Sequence, residues 1–223
     1  MLATVYLIFN EGYLASDSDS LLRAELCGEA IRLGRVLRVT MPREPEVSSL
    51  LALMLLTDAR RAARTDAAGE LVLLADQDRT LWDRERIEEG LGLVAEARPW
   101  GPRPYLLQAA IAAEHCRAAR AEDTDWERIT RLYAWLAAID RSPVVELNRA
   151  VAVAMAGEPE RGLALIDRLQ GLDGYPHLHV ARADLLGRLG RPEAGEAYER
   201  AIELTGNEVE RRFLERRLAE LNG

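Results

Sequence analysis

Lysine is missing from this 223-residue chain: all 29 basic residues are arginine, set against 37 Asp and Glu, for a formal net charge of −8. So acidic a chain is a poor partner for nucleic acid, because neutralising phosphates takes a surplus of cations. Aromatic residues make up only 5%, which leaves Ala and Leu to build the core. Two cysteines, Cys27 and Cys116, are too few for a disulfide framework, and their Ala/Leu-rich surroundings read as those of reduced core thiols. The longest apolar stretch, Leu50 to Leu56, falls far short of the roughly 20 residues a membrane-spanning helix needs. The apolar start, Met1 to Phe9, has no positive charge before it. Asn10-Glu11-Gly12 interrupts it, so the faint cleavage-like Leu14-Ala15-Ser16 carries no weight and a cytoplasmic protein is expected. Histidine is scarce too. His177 and His179, two apart, would point to different faces of a helix, His115 follows Glu114 within one, and no zinc ligand set is completed. G-x-S-x-G, P-loop and G-x-G-x-x-G motifs are all absent.

What is present is helical periodicity with legible starts and stops. A first short helix is expected over Thr4 to Asn10, ending at Gly12. Asp17-Ser18-Asp19-Ser20 offers caps for a second through Leu22, Leu26, Ala30, Leu33 and Leu37, which Met41-Pro42 ends. Pro45 opens a third, whose centre, Leu50 to Leu56, is apolar all round and calls for neighbours on several sides. Turn chemistry at Arg64 to Glu70, followed by the short apolar run Leu71 to Leu74, predicts a small β-hairpin near 63–75. Thr80 is the expected cap of the next helix, through Trp82, Ile87, Leu91 and Val94. Three prolines between Pro99 and Pro104 then suggest a division into 1–98 and 99–223, within one continuous structural unit.

Beyond that linker the helices become short and regular. Tyr105 to Arg120 is one, Thr124-Asp125-Trp126-Glu127 is a capping box for the next, and Ser142-Pro143 supplies cap and first position for Val144 to Ala156. A repeat follows: Ala150, Val153, Gly157, Gly162, Ile166 and Leu169 recur as Ala183, Leu186, Gly190, Ala194, Tyr198 and Ala201, each pair 32 or 33 residues apart. Helix, glycine turn and helix with small residues at the crossing is the tetratricopeptide (TPR) pattern, whose period is about 34. Glu208 to Leu221, with its arginines matched by glutamates, would cap the stack. The expected fold is all-α: an antiparallel helical array with TPR-like pairs in its C-terminal half.

Three groups of residues are candidates for function. Asp76, Gln77, Asp78, Arg79, Trp82 and Asp83 put three carboxylates within eight residues, oxygen ligands of the kind a hard cation takes. The arginine among them argues instead for a turn-to-helix junction with Arg79 on carboxylates and Asp78 or Thr80 as cap. Asn10, Glu11 and Tyr13 contain an acid–base pair in principle, or a helix C-terminus with Tyr13 packing back. Asn148 and Arg149, on an otherwise apolar helix, either satisfy neighbours or face a groove. No metal or cofactor is expected, and on these grounds the chain reads as a binding or regulatory module and not an enzyme.

Six segments in order carry a resemblance. Val5 to Tyr13, Asp76-Gln77-Asp78-Arg79, Ala109 to Ala113, Glu122 to Trp126, Ser142 to Met155 and Asn207 to Leu218 together resemble the helical C-terminal extension of one group of extracytoplasmic-function (ECF) RNA polymerase sigma factors. The resemblance covers essentially the whole chain, and in that family Asp-Gln-Asp-Arg is a signature of the extension. It implies a regulatory part of a transcription initiation factor. Its partners would be the promoter-binding regions of the same factor, RNA polymerase, or a DGPF/YCII-like protein, with no direct contact to nucleic acid or membrane. Neither promoter-binding region is expected within this chain. Arg103 to Gln108 departs from the family's Gly-Pro-Tyr-Gln-type run, which puts contacts there in question. The other readings are a free-standing peptide-binding scaffold and a metal-dependent enzyme using Asp76, Asp78 and Asp83.

Overall fold

A computed structural model describes residues 1–13 and 23–221; the predicted caps Asp17, Ser18, Asp19 and Ser20 lie outside the described residues. Eleven α-helices are found among the described residues, and they form two compact units, Met1–Asp125 and Trp126–Gly223.

In the first unit α1 (Leu2–Tyr13), α2 (Ala24–Thr40), α4 (Arg84–Ala97) and α5 (Pro104–Arg117) all pack on α3 (Pro45–Asp58). The sequence of α3 dictates this. Every residue from Val47 to Leu56 is buried, since a helix apolar on all faces is stable only when wrapped by others. Pro45 stands in the first turn, and the Glu44 side chain accepts the Glu46 N–H. Glu46 in turn accepts the N–H of Tyr105 at 3.2 Å, which ties the start of α5 to that of α3. Gly12 does not end the first helix, which runs on to Tyr13. The glycine is needed for a different reason: a Cβ there would lie 2.7 Å from the Cys27 backbone nitrogen, so α2 crosses α1 on bare backbone.

The predicted hairpin shrinks to one antiparallel bridge between Thr65 and Leu71. The Asp66 carboxylate accepts the N–H groups of Ala68 and Glu70, and Gly69 takes φ +79, so the turn forms as its residues dictate. Beyond it the chain turns again, with Asp76 N–H on Leu73 O, and Leu74 packs on the helical core in place of pairing. A lone two-stranded ribbon without further partners is marginal in any case. Nor does Thr80 cap α4. Asp83 does, accepting the Arg86 N–H, while Trp82 lies ahead of the helix. The proline-rich segment does not part the units either: α5 packs on α3 and α4, and the boundary falls after Asp125.

In the second unit each helix packs on the next: α6 (Trp126–Ile139), α7 (Pro143–Met155), α8 (Pro159–Ile166), α9 (Pro176–Arg188), α10 (Ala194–Leu204) and α11 (Glu208–Leu221). The repeat is physical. Gly157 (φ +101) ends one turn, with Glu158 N–H on Val153 O. Gly190 (φ +64) ends the other, with Arg191 N–H on Leu186 O. Val153 and Leu186, a recurring pair in the sequence, are thus equivalent acceptors in two Schellman-type caps. At the first crossing a Cβ on Gly162 would lie 2.6 Å from Ala154 Cβ and 2.8 Å from Ala150 O. At the second, Ala183, Ala194, Ala197, Tyr198 and Ala201 are buried together. The correspondence fails only at Leu169, because α8 stops at Ile166. Ser142 and Asn207 cap α7 and α11 with their side-chain oxygens.

Candidate functional site

The Asp76–Asp83 segment is a bracket fastened to the end of α5. Asp78 caps a short 3₁₀ turn (79–81), accepting both the N–H and the hydroxyl of Thr80, which holds its carboxyl below the usual range. That turn aims Arg79 inward. Its guanidinium donates to the carbonyls of His115 (2.8 Å) and Ala118 (2.9 Å), two of the carbonyls at the end of α5, and lies 4.4 Å over the Trp82 ring. A cation on a helix C-terminus meets both the unpaired carbonyls and the negative end of the dipole. Trp82 is buried, with Arg60 6.0 Å from its ring centroid. Asp83 donates its N–H to Ala59 O, caps α4 and pairs with Arg86 at 3.2 Å. Gln77 reaches Val72 O at 3.4 Å, and Asp76 is exposed.

Arg79 therefore serves carbonyls, not the carboxylates expected of it. The three aspartates do not converge, and no group of three His, Cys, Asp or Glu side chains is placed to hold a metal among the described residues. The metal-enzyme reading is left without a ligand set.

Electrostatics around the bracket are set by burial beside cations. His115 is pushed down to about 4, by desolvation first and then by Arg60 and Arg79, so it is neutral at pH 7. Burial raises the Cys116 thiol, which donates to Leu56 O at 3.5 Å, and likewise Cys27, whose thiol faces Phe9 O. Protonated, buried thiols of this kind are poor nucleophiles. Arg79 is itself lowered by desolvation.

The second motif is held by comparable contacts. Asn10 lies beside the Tyr6 hydroxyl, which donates to Gln108 Oε1 at 3.4 Å, and Glu11 pairs with Arg23 at 3.3 Å. Tyr13 stacks on Phe9 and lies beneath Arg64, whose guanidinium is 4.1 Å from the ring centroid and donates to the Tyr13 carbonyl. Glu11 and Tyr13 are thus each held by an arginine. Sequence reasoning passed over Arg60 and gave Arg64 and His115 no part in these sites, because the partners they meet, Trp82, Tyr13 and Arg79, lie 22, 51 and 36 positions away and leave no local signal. In the second unit Asn148 is exposed on α7 and Arg149 pairs with Glu146 at 2.9 Å. The two are adjacent in sequence and point apart.

Over 99% of this chain and 98% of the other, the structure matches the crystal structure of a thermophilic TPR protein from Thermus thermophilus, with a TM-score of 0.59 and 18% identity. The fold is TPR-like. Residues 1–98 match a family of unknown function (DUF6596). An uncharacterized protein of Rhizobium meliloti (strain 1021) is 49% identical over 220 residues, which are 97% of this TPR-like chain and 52% of the relative. The chain thus spans about half the length of the curated relative it matches. No described helix is long and apolar enough to cross a membrane.

Proposed function

We propose that this chain is a non-catalytic, helical-repeat scaffold that works by binding segments of other proteins. The observation that carries this is the repeat itself: paired glycine caps at Gly157 and Gly190 set α7–α8 and α9–α10 as equivalent helix pairs. Stacked pairs of this kind present extended surfaces whose use is protein contact. The acidic sequence, without a basic recognition helix, points away from direct DNA contact.

A finer reading has support of its own: the chain is the regulatory extension of an ECF-type sigma factor acting in transcription initiation in the cytoplasm. Six ordered segments carry the resemblance, and the Rhizobium relative is about twice as long, which leaves a comparable length for two promoter-binding regions. The partners are then those regions, RNA polymerase, or a DGPF/YCII-like protein. The test mixes the purified chain separately with each of the three and follows co-migration in size-exclusion chromatography. Binding to the promoter-binding regions or polymerase supports the finer reading; binding to none of the three refutes it. The scaffold reading falls if the chain turns over a small molecule with no protein partner.

A further inference from the structure

At the bracket of the first unit, two guanidiniums share one indole. Arg79 lies 4.4 Å and Arg60 6.0 Å from the Trp82 ring centroid. Arg79 commits a single nitrogen, Nη1, to the carbonyls of His115 and Ala118, and its other nitrogens have no protein partner among the described residues. Arg60 follows the last turn of α3. It makes no hydrogen bond or ion pair among the described residues, and its Nε is buried without an acceptor. Trp82 is 3% exposed, and its indole Nε1 is likewise buried without an acceptor. Buried donors are nearly always paired in a folded protein, so two in one cluster call for an acceptor that the chain does not supply.

The same cluster is short of negative charge. Arg84 donates to Arg79 O at 3.4 Å, is exposed and makes no ion pair among the described residues. Arg60, Arg79 and Arg84 all act on the buried Cys116, which gathers the three around one point. The acids of the bracket, the end of α5 and the turn after it are engaged elsewhere: Asp78 by Thr80, Asp83 by Arg86, Glu114 by Arg117, and Glu122 and Asp123 by Arg120. Asp76 is exposed and pairs with none of the three. Arg60 acts on Arg79 more strongly than Asp123 or Glu122 does. Cations held together in this way repel one another, and a bound anion relieves the repulsion.

We infer that the bracket binds a small phosphate monoester, with Arg60 and Arg79 clamping its oxygens, Trp82 Nε1 donating a further hydrogen bond and Arg84 at the rim. Three unpaired cations call for more than one negative charge. A phosphate monoester carries about 1.5 to 2 at pH 7 and offers three acceptor oxygens, where a carboxylate carries one charge. The indole donor lies under the surface, so a small anion suits it better than a side chain carried on a folded partner. Arg60 is half-buried with no polar partner to hold it, so its guanidinium turns to admit the ligand. Carbonyls at the end of α5 would repel an anion, but Arg79 Nη1 already covers two of them. The site lies in the first unit and depends neither on the repeat pairs of the second nor on the scaffold reading.

The probes are inorganic phosphate and glycerol 3-phosphate, titrated calorimetrically into the whole chain at constant ionic strength, with acetate and chloride for comparison. Both phosphates should bind saturably, acetate about tenfold more weakly or less, and chloride without effect. The indole N–H resonance that disappears in Trp82→Phe should move downfield as its proton meets an oxygen. Arg60→Met keeps the contact with the ring and should weaken phosphate binding about tenfold or more; Trp82→Phe, which removes one neutral donor, should do so about threefold or more. Arg35→Met, at a cation paired with Glu89, should leave binding unchanged. Unchanged far-ultraviolet circular dichroism establishes that the variants are folded, and where Trp82→Phe is not, Arg60→Met decides by itself. Absence of saturable phosphate binding overturns the inference and leaves a buried water as the acceptor. Equal binding by Arg60→Met, or of acetate and phosphate, overturns it too. A phosphoserine peptide bound tenfold more tightly than glycerol 3-phosphate would make a protein segment the occupant and overturn the small-molecule assignment.

Discussion

Replacing Arg79 separates a structural brace from a partner contact. Arg79→Ala removes two charge-assisted hydrogen bonds to the end of α5 and the stacking on Trp82. Hydrogen bonds from a charged donor contribute about 1.5–3 kcal/mol each and a cation–π contact about 0.5–2, but both carbonyls regain water once uncovered, so a net loss of about 2–3 kcal/mol is expected. With a urea slope of about 2 kcal/mol/M that is a midpoint shift of about 1 M. Arg79→Lys keeps the charge without the planar fork, reaches one carbonyl at a time and should lose about half as much. The assay is hydrogen exchange against urea, read at first-unit amides so that melting of the second unit does not enter. The last turn of α5, where Ala118 N–H bonds Glu114 O, should lose protection first. A shift below about 0.5 kcal/mol, within the range of an ordinary surface substitution, would refute the brace. It would leave Arg79 for contact with a partner. On the proposed sigma-factor reading, transcription lost in Arg79→Lys with stability largely kept would point the same way.

His115 makes stability depend on pH. Its folded pKa of about 4 lies below the unfolded value near 6.5, so between these values the unfolded chain binds more protons. The contribution is full above pH 6.5 and lost as pH falls toward 4, by at most about 3 kcal/mol. Urea midpoints at pH 7 and 4.5 should differ less in His115→Gln than in the parent; an equal difference would count against the buried neutral imidazole. Glycine-to-alanine substitutions should have opposite signs at two sites. At Gly162 the added Cβ meets Ala154 and Ala150 O, and overpacking should cost about 1–3 kcal/mol. At Gly28, within α2 and with nothing in reach of a Cβ, the same change should stabilise by about 0.5–1 kcal/mol. Thermal denaturation of the two variants measures both.

Local signals carried most of the helical layout. Pro45, Pro143 and Asn207 start helices where their backbone and capping chemistry predicts, and Gly157 and Gly190 end them. Where two local rules competed, the outcome lay elsewhere in the chain. Thr80 and Asp83 are both good caps, and Asp83 prevails because its N–H also bonds Ala59 and its carboxylate meets Arg86. Gly12 looked like a helix stop, since no periodicity reveals that Cys27 will press against it.

By itself the sequence determined the all-helical class, the buried α3 and the 33-residue repeat, because helix periodicity, caps and apolar runs act over a few residues or one turn. Tertiary structure alone decided what the marked residues do. Arg79 was conspicuous in the sequence, yet whether it met an aspartate three residues back or a helix end 36 residues on depended on how α5 packs against α3 and α4.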